Sequence, residues 1–233
     1  MRREPKGIER PLVVLGGYLD PGMGPWWTAR RIRALTGDRR ILSVGVGACT
    51  TFDECRRRVI DEVERAFPSA DLRLTTEVDV LAISMGGLVA RHAAIAPPHE
   101  EGAEGSPPAK RLKIRRLFSI SAPHRGARLA RLPCFLPLHR DMRAGSQFLK
   151  ELESAYAKRD YSLVPYVRLG DRLVGSANAA PQGEVPYWVS NPFIQPAHIG
   201  AVLDSRVLAD IARRLRREEP FAKEPRTPLP AEG

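Results

Sequence analysis

The chain has 233 residues, 43% of them hydrophobic and 27% charged, enough to bury one core and too apolar for a chain disordered throughout. Its formal charge is +10, carried by 31 arginines and 6 lysines against 27 acidic residues. No apolar run approaches roughly eighteen residues, which excludes a membrane-spanning helix.

Residues 1–10 are charged and carry no apolar segment of the secretory-leader kind, so a flexible N-terminus is expected. Leu12-Val13-Val14-Leu15, closed by Gly16-Gly17, predicts a buried strand ending in a tight loop. Trp26 to Leu35 is helix-like, with Trp27, Arg31 and Leu35 at four-residue spacing. A second strand follows over Ile41 to Val46. Thr51 with Glu54 three residues on forms a capping-box pattern. The helix it opens carries Cys55, Val59, Val63 and Phe67 on one stripe, with Pro68 at its end.

Val78 to Ile83 predicts a third strand, and Met85 to Ala96 is small, apolar and helix-compatible. The Pro/Gly/Glu-rich stretch from Pro97 to Pro108 predicts an exposed, mobile loop. Ile114 to Ile120 gives a fourth strand, Leu132 to Leu138 is irregular, and Met142 to Arg159 predicts one or two helices. Val164 to Leu169 and Val185 to Val189 are the fifth and sixth strands. Asp204 to Arg217 is a closing amphipathic helix, with Val207, Leu208, Ile211 and Leu215 facing inward. The stretch 218–233, rich in Pro and charge, predicts a frayed tail.

Strands that are continuous apolar runs, alternating with helices, are the pattern of a parallel sheet covered on both faces. The fold class is therefore α/β: about six mostly parallel strands in one domain over 11–217. The three cysteines, Cys49, Cys55 and Cys134, are too few and too scattered for a disulfide framework or a zinc site, so a reduced cytoplasmic protein is expected. The five histidines show no metal-ligand spacing, and neither metal nor cofactor is expected. The arginines are dispersed and not interleaved with aromatics, which reads as solvated helix faces and argues against a specific nucleic-acid partner. Peripheral contact with anionic surfaces stays open.

In such sheets, ligands and catalytic groups gather at the carboxyl ends of the strands. Those ends carry Gly16-Gly17-Tyr18, Ser84, Ala122-Pro123-His124, Asp171 and His198. Ser84 sits where strand passes to helix, flanked by the small residues Ala82 and Gly86 two positions away. A sharp turn bearing a nucleophile needs small neighbours there so that strand and helix can approach. The helix that follows aims its N–H groups and positive end at developing negative charge.

The sequence from Pro11 to Arg217 resembles the α/β-hydrolase family, and within it bacterial triacylglycerol lipases and esterases. The resemblance rests on the A-x-S-x-G segment Ala82-Ile83-Ser84-Met85-Gly86, on Ala122-Pro123-His124-Arg125-Gly126 and on Arg143 to Leu149. The family's first elbow position is Gly where this chain has Ala82, a difference of one methyl group. The resemblance implies Ser84 as nucleophile, Asp171 as acid and His198 as base, in the order this fold requires. Asp160 and Asp141 are the alternative acids. It implies oxyanion donors at the N–H of Met85 and of Tyr18, with Gly17 as the alternative. The family's His-Gly before the latter position is Gly16-Gly17 here.

A small cap over the site is implied at about 131–160, leaving an open pocket. Trp26 and Trp27 either flank that pocket or pack in the core. His124 either supports the site from behind or flanks the substrate, His92 packs within its helix, and His99 and His139 fall in solvated loops. The function implied is hydrolysis of carboxylic esters, with a small ester or lipid as substrate. Two alternatives accompany it: a catalytically silent hydrolase fold that binds anionic partners, and an acyltransferase with the same three residues.

Overall fold

A computed structural model describes residues 7–96, 109–192, 196–224 and 226–230. Six parallel strands form one sheet in the order β2-β1-β3-β4-β5-β6: β1 (Leu12–Leu15), β2 (Ile41–Val44), β3 (Val78–Ile83), β4 (Ile114–Ile120), β5 (Ser162–Arg168) and β6 (Tyr187–Val189). Seven α-helices are described: α1 (Met23–Thr36), α2 (Phe52–Ala66), α3 (Gly86–Ala94), α4 (Pro137–Asp141), α5 (Gln147–Tyr156), α6 (Ala197–Leu203) and α7 (Ser205–Leu215). The expected α/β architecture with a six-stranded parallel sheet is what the chain adopts.

The period-two pleat divides each strand between two cores. Leu12, Val14, Leu81, Ile83, Phe118 and Ile120 meet Ile32 of α1 and Leu208 and Ile211 of α7. Val13, Leu15, Val80, Ala82 and Leu117 meet Val59 and Val63 of α2, Leu88 of α3 and Leu149 of α5. Both sides of the central strands are packed, which is why they read as mainly apolar runs; the polar exceptions in β3 and β4 are Asp79, Arg115, Arg116 and Ser119. The expected stripe of α7 is buried throughout.

The departures have local causes. β2 stops at Val44 because the chain must pass the 20–22 turn: a side chain at Gly45 would meet the Pro21 carbonyl at 2.4 Å, and one at Gly47 the Asp20 backbone at 2.5 Å. α1 begins at Met23, before the expected Trp26, because the Asp20 carboxylate accepts from the N–H groups of Gly22 and Gly24. Its buried face is Pro25, Thr28, Ala29, Ile32 and Thr36, so the Trp27/Leu35 stripe is the outer one. The capping box at α2 is shifted by one residue. Thr51 Oγ1 accepts from the Glu54 N–H at 3.2 Å, while the Glu54 carboxylate reaches the Thr50 N–H at 2.7 Å.

Pro165 lies inside β5, opposite Ser119 of β4. It is tolerated because β6 pairs only with Tyr166, Val167 and Arg168, beyond the proline. Two further helices stand where loops were expected. α4 opens on Pro137, a residue pre-organised for a first helical turn. α6 follows Pro196 and carries His198 as its second residue.

Residues near both chain ends make contacts with the domain. Ile8 is buried and its N–H donates to Asp38. In the stretch expected to fray, the Ala222 N–H donates to Asp210, Tyr187 bonds Glu224, and the indole N–H of Trp188 donates to the Thr227 carbonyl. The expected loop at 97–108 lies outside the described residues. Among the described residues no helix is long and apolar enough to cross a membrane.

Candidate active site

β3 delivers Ser84 at its carboxyl end with φ 51°, a left-handed conformation that side chains other than glycine adopt only under strain. The turn is held by the Ser84 N–H, which donates to the Ile120 carbonyl of β4 at 2.8 Å. Gly86 has to be glycine: a Cβ there would sit 2.6 Å from the Gly16 carbonyl oxygen. Ala82 is fully buried within β3 and leaves the turn intact. Gly86→Ala is therefore expected to lose about 1–3 kcal/mol through overpacking, a drop of roughly 2–10 °C in melting temperature for a domain of this size. Thermal unfolding followed by circular dichroism checks this.

His198 Nε2 lies 3.0 Å from Ser84 Oγ, and His198 Nδ1 lies 2.8 Å from Asp171 Oδ2. The three residues come from three separate segments: the β3–α3 turn, the loop after β5 and the start of α6. Asp171 is buried, and its other oxygen, Oδ1, accepts from the N–H groups of Leu173 and Val174, both at 3.0 Å. Burial raises the Asp171 pKa, but the His198 hydrogen bond and charge, with the Val174 N–H, outweigh it and hold the carboxyl below its ordinary value. The carboxylate is thus ionised and fixed at both oxygens.

Of the alternative acids, Asp160 pairs with Arg111 at 2.9 Å. The Asp141 pKa is raised, first by burial. Neither meets His198, whose Nδ1 is taken by Asp171.

Gly17 passes directly over the serine, where a Cβ would stand 3.2 Å from Ser84 Cβ and 3.8 Å from its Oγ. The N–H groups of Tyr18 and Met85 meet no acceptor among the described residues. α3 begins immediately after Met85, so its positive end faces the same space.

That space is a cavity of about 410 Å³ with mostly apolar walls, among them Trp27, Leu129, Met142, Leu173 and Ile199. Trp27 thus lines the cavity and is half-exposed, rather than packing in the core. Of the stretch expected as a cap, His139 and Met142 reach the cavity, whereas α5 packs away from it, with Phe148 stacked on Phe52 of α2 at 4.0 Å.

One histidine is not where the sequence put it. His139 is buried in α4 against the cavity, not solvated, with its ring 6.2 Å from that of Tyr18. The proline at the start of α4 was the available signal. His124 is buried behind the site, with Nδ1 3.2 Å from Arg91 and Nε2 2.9 Å from Ser119 Oγ. Since Arg91 can only donate, Nδ1 accepts and Nε2–H points to the serine. Burial, then the charges of Arg91 and Arg125, push the His124 pKa well below its usual value and keep the ring neutral. It links β4 to α3, whose Arg91 in turn donates to the Leu152 carbonyl of α5, and it does not line the cavity.

One contact had no sequence signal. Asp204, at the α6–α7 junction, lies 3.8 Å from the buried Arg168 at the end of β5 and 2.7 Å from Arg206. This pairs the strand that leads to Asp171 with the helix that carries His198. Among the described residues no group of three or more His, Cys, Asp or Glu side chains is placed to hold a metal ion.

No family model matches the chain, and no curated protein matches its sequence. Solved structures do. Phospholipase PlaB from Legionella pneumophila superposes with a TM-score of 0.55 at 11% identity, covering 90% of this chain and 60% of that one. Aspergillus fumigatus lipase B gives 0.56 at 12% identity, covering 91% and 53%. The mature form of Bacillus licheniformis lipase BlEst2 gives 0.53 at 14% identity, covering 85% and 88%. This chain spans about three fifths of the PlaB chain and about half of the Aspergillus lipase. Identities this low speak to fold alone, and what they establish is that the chain has an α/β-hydrolase fold of the lipase-like kind.

Proposed function

We propose that the protein is a serine hydrolase of carboxylic esters, with Ser84 as nucleophile, His198 as general base and acid, and Asp171 as the carboxylate that orients the imidazole. The observation that carries this reading is the continuous chain of contacts from Asp171 Oδ2 through both His198 nitrogens to Ser84 Oγ, at 2.8 and 3.0 Å. An ionised Asp171 can only accept, so it places the proton on Nδ1 and leaves the Nε2 lone pair towards the serine hydroxyl.

His198 Nε2 takes the Ser84 proton as Oγ attacks the ester carbon. The carbonyl oxygen becomes an oxyanion that accepts from the Met85 N–H and from the Tyr18 N–H, with Gly17 as the alternative donor. The C–O bond to the leaving alcohol then breaks, and the alcohol departs with the proton held by His198. Water, deprotonated by the same imidazole, attacks the acyl-Ser84 ester and releases the acid and the free serine. Apolar walls suit an acyl chain or another apolar ester group.

A panel of nitrophenyl esters of rising acyl length tests this reading. The wild-type protein is expected to release nitrophenol with saturation kinetics and a preference set by cavity length. No turnover of any member by folded protein contradicts it. Adding a simple alcohol and analysing the products separates hydrolysis from acyl transfer. Hydrolysis predicts free acid as the main product.

A further inference from the structure

Six large apolar side chains around the cavity mouth face solvent: Met23, Trp27, Leu129, Leu173, Ile199 and Leu203. They come from α1, the 129–131 turn, the loop after Asp171 and α6. Met23 and Ile199 are 70% and 63% exposed, more than packing around a pocket requires. The rim continues outward through the Leu132–Leu136 segment, where Leu132 is exposed and Phe135 fully so. Cys134 ties that segment to the mouth, its Sγ lying 4.0 Å from the Tyr18 hydroxyl. Single exposed hydrophobics need no explanation, but a contiguous patch of this kind marks a binding surface.

The charge around the patch says what binds. Residues 123–145 hold five arginines and one aspartate in a chain of net charge +10. Arg128, Arg131 and Arg172 are exposed and stand beside Leu129, Leu132 and Leu173 in the chain. Apolar groups flanked by arginine on the 128–132 and 172–173 side match a surface with an apolar interior and negatively charged heads: the stems lie along the apolar zone while guanidinium groups stay with the phosphates. A second copy of the chain brings like charge against like and fits poorly.

We propose that this rim docks the protein on an anionic lipid bilayer, with Leu132 and Phe135 entering the headgroup boundary and the arginines beside them holding the lipid phosphates. The cavity mouth then opens onto the lipid. This goes beyond ester hydrolysis and stands whether or not Ser84 attacks.

The test is co-sedimentation of Ser84→Ala protein with vesicles of phosphatidylcholine alone or mixed with phosphatidylglycerol, so that binding is read without turnover. Binding to the anionic vesicles is expected to be about tenfold tighter or more, and to weaken with added salt. Leu132→Ser/Phe135→Ser, added to that background, is expected to bind the anionic vesicles about tenfold more weakly with an unchanged melting temperature. Equal binding to both vesicles, or full binding by the variant, overturns the proposal. So does a lipid-free dimer, seen by light scattering, that the two substitutions dissolve, because the patch is then covered by a second copy.

Discussion

Ser84→Ala is expected to lower kcat for ester hydrolysis by about 10⁵-fold or more, with little change in melting temperature. The substitution removes the attacking oxygen but keeps the Cβ, the φ of 51° and the Ser84 N–H bond to Ile120 that shape the turn. One hydroxyl–imidazole hydrogen bond is lost, a net change of about 1 kcal/mol. The cavity, the backbone donors and the His198–Asp171 pair all stay in place, so substrate binding is expected to survive. Activity that falls together with stability points instead to a structural role for Ser84. Steady-state kinetics and thermal melts on the same preparation separate the two.

Asp171→Asn is expected to reduce kcat by about 10⁴-fold, and the geometry dictates why. The Leu173 and Val174 N–H groups both point at Oδ1 and require an acceptor there. The asparagine oxygen must therefore take that position, which puts its NH2 group at the position of Oδ2, against His198 Nδ1. An NH2 donor makes Nδ1 the acceptor and moves the ring proton to Nε2. The imidazole then faces Ser84 with a proton where a lone pair is needed. KM is expected to change little, since Asp171 lies behind the histidine and touches no substrate. A loss of only a fewfold with the fold intact contradicts the orienting role.

Much of the frame was legible because burial on both sheet faces makes strands such as Val78–Ile83 almost wholly apolar; the exception, Asp79, is buried and paired with Arg116. The sharp turn at Ser84 was legible for a related reason: a strand and a helix meeting at a positive φ demand small neighbours, and Ala82 and Gly86 are small. The spacing of Trp27 and Leu35 in α1 left their side open, because both are apolar yet face outward and periodicity alone does not distinguish a core face from a cavity rim. α4 and α6 were hidden by their length, at five and seven residues. Helices so short make too few turns for a hydrophobic period to show, and only Pro137 and Pro196 mark their starts. The Arg168–Asp204 pair and the burial of His124 and His139 arise from contacts distant in the chain, which no local pattern encodes.

The central claim is that Ser84 is nucleophilic because His198 and Asp171 make it so. Its most direct measurement is reaction of the folded protein with a fluorophosphonate, followed by mass spectrometry of the intact chain and its peptides. The account predicts one adduct, on the Ser84 peptide, absent from Ser84→Ala and slowed strongly in Asp171→Asn. Folded wild-type protein that stays unlabelled, or an adduct on another serine that persists in Ser84→Ala, would contradict it.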